Sequence, residues 1–262
     1  MYFNFMIMNR NILKPVITLF AMCFILVGCV GEKNSDGGKH KLLKSIVIEE
    51  GVYINEIKFE YDSQSRITKC IESPFTTTLT YNSAGDLIKL VSERAGGSTT
   101  TYTFTKNENK IIATSESLDD AYTFTIELNA EELPVKISGD GNSAFEYQNG
   151  NVTKMTFYNS PSVGYGYYTF TYNDKKSPWL YCKTPKWFLV TAFDLFGFPF
   201  MGLKNNANTI EGNFIEGWLS EHFVYTYDND DYPIKTTVTG TEGYGKLSRT
   251  YDYNISYEYI TK

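Results

Sequence analysis

The chain has 262 residues, including 21 Tyr and 18 Phe, and carries 24 basic against 30 acidic side chains for a net charge of −6. This acidity argues against nucleic acid as a partner and against electrostatic adhesion to anionic lipid. The length admits one large or two small domains, and the aromatic and threonine content favours strands.

The first 28 residues stand apart from the rest. Arg10 and Lys14 are their only charges, and the apolar run from Val16 to Leu26 is too short to span a bilayer comfortably. Leu26-Val27-Gly28-Cys29 follows. It resembles the lipobox of bacterial lipoproteins, with an ordinary signal peptide and an incidental Cys as the alternative. The resemblance implies a signal peptide over 1–28, cleavage before Cys29 and lipidation of the Cys29 thiol. Acyl chains tether a protein without a transmembrane span. Residues 29–41, polar and Gly-rich, then form a flexible tether. Val30 stands where an inner-membrane retention signal would place Asp, which by the same resemblance implies the outer membrane. Glu32 and Asp36, interrupted by Lys33, are a thin version of a surface-export signal, so periplasmic and cell-surface orientations both stay open.

The body, 42–262, reads as one domain. Ile57, Phe59 and Tyr61 alternate with Glu56, Lys58 and Glu60, and Tyr122, Phe124, Ile126 and Leu128 alternate with Thr123, Thr125 and Glu127. One dry and one wet face per strand is the antiparallel habit. The stretch Phe59–Lys69, an aromatic strand, a turn opened by Asp62 and a return strand, recurs in altered form at 79–89, 102–112, 126–136, 145–154, 170–179 and 225–235. A lone hairpin is unstable in water, so stacked copies predict an all-β antiparallel meander of about 14 to 16 strands, rolled into a barrel or half-barrel.

The repeat breaks after Tyr172, which predicts an insertion over 178–222. Thr184-Pro185 and Gly197 bracket KWFLVTAFDLF, apolar almost all round. This predicts one short buried helix that plugs or caps the sheet interior; a strand pair is the alternative. Cys70 and Cys182, the cysteines of the body, are a candidate disulfide or two separate buried thiols. Trp179, Tyr181, Trp187 and Trp218 fall in or beside the insertion and are candidate ligand-binding aromatics, with core packing as the alternative.

Two resemblances follow from these motifs. The aromatic-Tyr-Asp-turn-Lys hairpin resembles the YD repeats of Rhs-type proteins, although Phe104-Thr105 and Leu128-Asn129 depart from that pattern. The lipobox together with LPVK (133–136), FTYNDKKSPW (170–179), LKNNANTI (203–210) and YDNDDYPIK (227–235) is similar to Bacteroidota lipoproteins of unknown function, a group with a porin-like meander-barrel domain. These resemblances imply an address and a shape, and no activity.

Chemistry is sparse. His40 and His222 are the only histidines, which gives a metal site or a Ser/His/Asp triad little to draw on. Asp228–Asp231 lacks EF-hand spacing and reads as a turn. No cofactor, metal or reaction follows. The expectation is a non-catalytic binding or interaction module for a glycan or another envelope protein. A structural component of an outer-membrane complex is the alternative, a glycan-active enzyme a weaker one, and a transmembrane barrel is disfavoured by the Glu and Lys of the wet faces.

Overall fold

The structure, a computed structural model, describes residues 40–116, 121–139, 142–158, 165–190, 203–215 and 217–262. Sixteen strands follow one another: β1 Lys41–Glu50, β2 Tyr53–Tyr61, β3 Ile67–Glu72, β4 Phe75–Tyr81, β5 Leu87–Arg94, β6 Thr99–Asn107, β7 Lys110–Glu116 and β8 Ala121–Leu128. The second half comprises β9 Pro134–Ser138, β10 Asn142–Gln148, β11 Asn151–Tyr158, β12 Tyr165–Lys176, β13 Asn205–Asn213, β14 Gly217–Tyr227, β15 Pro233–Tyr244 and β16 Leu247–Thr261. Each pairs antiparallel with its sequence neighbours, and β16 pairs with β1, so the meander closes into a barrel. Among the described residues one short helix, α1, begins at 186 in the segment between β12 and β13 and is described to 190.

That segment is shorter than the sequence suggests. Residues 205–213 and 217–227 are wall strands, so the departure from the meander covers 177–204 and not 178–222. Weak alternation in NNANTIEGN hid β13: Asn206 and Ala207 are both buried, and its inner face carries Gly212 where other strands carry a large apolar residue.

The repeated turn has one construction. In Asp62–Arg66, Asn82–Asp86, Asn129–Leu133 and Asp228–Tyr232 the first residue donates its N–H to the carbonyl of the fifth, and its own carbonyl accepts from the fourth. Its side chain caps the loop amides: Asp62 Oδ1 accepts from Gln64 N and Arg66 N, and Asn129 Oδ1 from Glu131 N and Leu133 N. The fourth residues, Ser65, Gly85, Glu132 and Asp231, all have positive φ. The preceding aromatic also has a task. Tyr61 and Tyr81 point inward and donate to the carbonyls of Leu43 and Ile67 on the adjacent strand, both at 2.7 Å; before the fourth turn the same bond is made two residues earlier, by Tyr225 to Ala207 at 2.7 Å. Because Asn82 and Asn129 cap as Asp62 does, Asp62→Asn is expected to cost less than about 0.5 kcal/mol and Asp62→Ala about 1 kcal/mol. Urea midpoints of the two variants check this, and equal losses would mean that the side-chain cap is irrelevant.

A barrel of 16 strands ordinarily leaves an aqueous channel. Here the middle of the lumen is filled. Ile46, Phe59, Leu79, Leu90, Phe104, Phe124, Ile137, Phe145, Phe170, Ile210, Phe223, Val238 and Ile255 come from all sides of the wall into one buried cluster. Trp187, Phe188 and Val190 of α1 enter the same cluster, as the plug reading requires. Trp187 meets the edge of Phe104 at 5.2 Å, and Trp179 does the same to Phe59 at 5.2 Å. Thr184, just ahead of α1, accepts from Ile67 N at 2.8 Å and so ties the plug to the wall.

Candidate functional site

The two ends of the barrel differ. The plugged end carries the Asp- and Asn-opened turns, residues 177–190 and 203–204, and the start of β1 and end of β16, where His40 and Lys262 exchange backbone hydrogen bonds. Cys29 lies outside the described residues, but the chain leading from it enters at this end.

The predicted aromatics do not converge. Trp187 is plug core, and Trp179, partly buried, packs against that core. Tyr181 stacks on His40 at 4.1 Å beside the chain entry. Trp218 sits at the opposite end, on the outer face of β14 over Gly243, and is 44% exposed. The grouping fails because 178–222 is not one segment: Trp218 belongs to the wall. Cys70 and Cys182 are free thiols, not a bridge; Cys70 is an inward wall residue on β3 opposite Phe59, and Cys182 lies in the plug within reach of Thr184. Burial pushes both thiols up, which leaves them inert as nucleophiles at neutral pH.

At the other end the inner wall changes character one side-chain layer beyond the apolar middle. Asn55 donates to Glu72 at 2.8 Å, Thr77 to Ser92 at 3.2 Å, and the Tyr102 and Tyr122 hydroxyls share a bond at 2.8 Å. The buried hydroxyls of Ser115 and Ser143 find no partner among the described residues. Phe157, Tyr168 and Tyr251 lie flat over the inward glycines of the next strand; a Cβ on Gly240 would stand 2.3 Å from the Tyr251 ring. Glycine therefore lets these rings hug the wall instead of filling the lumen.

On one side this wall continues past the rim. β16 pairs with β1 only over 254–261, so Leu247–Tyr253 are backed by β15 alone and stand out with the ends of β14 and β15 as a ledge. Its inner face carries Leu219, Glu221, Glu242, Tyr244, Leu247, Arg249, Tyr251 and Tyr253, with Tyr244 65% and Leu247 78% exposed. Arg249 binds Glu242 at 2.6 Å and lies over the Tyr251 ring at 5.2 Å. At the root of the ledge Glu221, only 6% exposed, accepts from Tyr251 at 2.9 Å and Tyr253 at 3.3 Å. Burial lifts its pKa, the Glu242 charge adds to the effect, and the tyrosine hydroxyls counter part of it. The ledge escaped sequence reading, yet a signal exists: Glu221 interrupts the otherwise apolar alternation of Leu219, Phe223 and Tyr225.

Neither a protein-family model nor a curated protein sequence matches the chain. Among solved structures, a porin-like protein from Bacteroides uniformis is similar in fold, with a TM-score of 0.52 at 13% identity over 83% of this chain and 98% of that one. A porin-like protein from Bacteroides vulgatus aligns with a TM-score of 0.42 at 11% identity over 84% of this chain and 99% of that one.

Proposed function

We propose that the chain is a lipid-anchored outer-membrane protein whose barrel stands in water and acts as a non-catalytic binding module, with the ledge end as its binding face. The observation that carries this reading is the polarity of the wall. A transmembrane barrel turns an apolar band outward, and each Lys or Arg at the bilayer midplane costs about 2–4 kcal/mol. Here the outward pairs along the strands are ionic: Lys44 with Glu258, Lys58 with Glu56, Lys69 with Glu60, Lys110 with Glu127 and Lys154 with Glu146. Threonine ladders, Thr114 with Thr123 and Thr171 with Thr209, lie between them. With its apolar face inward and its lumen filled, the barrel is built neither to sit in lipid nor to conduct.

The anchor then sets the orientation. From Cys29 to His40 the chain reaches at most about 40 Å, and it enters at the plugged end. Acyl chains on Cys29 keep that end toward the bilayer and hold the ledge away from it. The protein beginning at Lys41 is expected to stay monodisperse without detergent, whereas the full chain partitions into the detergent phase in a Cys29-dependent manner. Aggregation of the shortened protein that detergent reverses would sink the water-standing reading.

A second reading, an assembly component, is favoured by one observation: the β16 backbone over Leu247–Tyr253 has a strand partner on one side only. Such an edge can accept a strand from another protein.

A further inference from the structure

We propose that the ledge binds a ligand bearing a protonated amine, which docks on the free oxygen of Glu221 while its carbon body lies against Leu219, Tyr251 and Tyr253; this names the ligand class for the binding face proposed above and rests on that reading. Both tyrosine hydroxyls go to the same oxygen of Glu221, Oε1, and Oε2 has no partner among the described residues. A carboxylate this buried ordinarily has a cation. Arg249 is the one cation on the inner face of β14–β16, and it is already held by Glu242 and the Tyr251 ring. Along the same rim Glu50 and Glu72 also face inward, and with Glu221 and Glu242 they outnumber Arg94 and Arg249 among the described residues, so the mouth leans acidic and disfavours anionic ligands.

The neighbours suit an ammonium group. The Tyr251 and Tyr253 rings run side by side at 6.3 Å and 12°, a continuous aromatic surface beside the carboxylate. Aromatic faces attract organic cations, most strongly where water is excluded. Gly240, opposite Glu221 on β15, adds no side chain to the approach, and Tyr251 fills the space over it, so this part of the wall is smooth. A neutral sugar could use the ring surface, but it would leave the buried charge uncompensated.

The test uses the full chain in detergent at neutral pH, with thermal shift and tyrosine fluorescence as readouts. The probes are glucosamine and butylamine, with glucose as the neutral match for glucosamine. Binding raises the melting temperature in proportion to occupancy. Both amines are expected to give saturable shifts, and glucose to bind at least about tenfold more weakly, the size of one lost charge-assisted contact. Glu221→Gln should lose the same factor with an unchanged near-ultraviolet circular dichroism spectrum. Should that variant misfold, Leu219→Lys, which supplies an internal ammonium on the same face, should abolish amine binding while keeping the fold. Equal binding of glucose and glucosamine, or a Glu221→Gln variant that binds amines normally, would overturn the ligand class and leave the binding face standing. No saturable response to either amine at millimolar concentration would overturn the proposal outright.

Discussion

Phe188→Ala is expected to destabilise the barrel by about 3–5 kcal/mol, the range for removing a large aromatic from a packed core. Phe188 has no exposed surface and lies in the first turn of α1, against Trp187 and among side chains from the wall. Around it the groups of the plugged end are held in place: Tyr61 and Tyr81 spend their hydroxyls on wall carbonyls, and Thr184 ties the plug to Ile67. The hole left by alanine is therefore walled by groups that are already tethered, and such sites collapse poorly. Trp218→Ala, on the outer face of β14, is the matched control and should cost less than about 0.5 kcal/mol. Urea unfolding of both variants, with the slope compared to confirm that unfolding stays two-state, separates them. If Phe188→Ala costs no more than Trp218→Ala, the segment is a surface ornament and the lumen is filled by the wall alone.

The contrast shows what the amino-acid order could and could not reveal. Period-two alternation exposed the strands, and the recurring Tyr61-Asp62 device exposed the hairpins, because each unit solves the same local problem: capping loop amides and occupying a wall carbonyl. Rolling was also readable, since so many strands rarely stay flat, but closure was not: a barrel and a half-barrel share the same alternation. Partition of the aromatics was not. Trp187 and Trp218 both fall inside the interval where the repeat lapses, but one enters a lumen and the other lies over Gly243 outside it. That difference depends on where the wall resumes, and the weakly alternating β13 hid the point of resumption. The ledge was illegible for a related reason: it exists because β16 outruns β1, and strand lengths are compared only across the closing seam.

Glu221→Gln is expected to stabilise the ligand-free barrel by about 1–2 kcal/mol at neutral pH, and the gain should vanish near pH 4. Glu221 is held above the ordinary glutamate value, by burial first and by the Glu242 charge second. A group raised in this way contributes its stability below its unfolded value, and that contribution is lost as pH rises through the folded value. The wild type therefore carries the cost of an ionised buried carboxylate at neutral pH, and glutamine, which can still accept from Tyr251 and Tyr253, does not. Other carboxylates pull the opposite way. Asp86 is held low by Asn82 and Lys106; for Asp62 and Asp228 burial works upward, but their hydrogen bonds, including Arg66 and Lys41, outweigh it. Their stability is present above the ordinary aspartate range and is lost as pH falls, so both proteins should weaken in acid. The difference between the two pH profiles removes that shared loss and leaves the Glu221 term. Denaturant midpoints measured across pH should give curves that converge on the acid side and part toward neutrality. A gap that stays constant with pH would show that Glu221 is not the desolvated charge the ledge is built around, and the ligand class argued for it would fall with it.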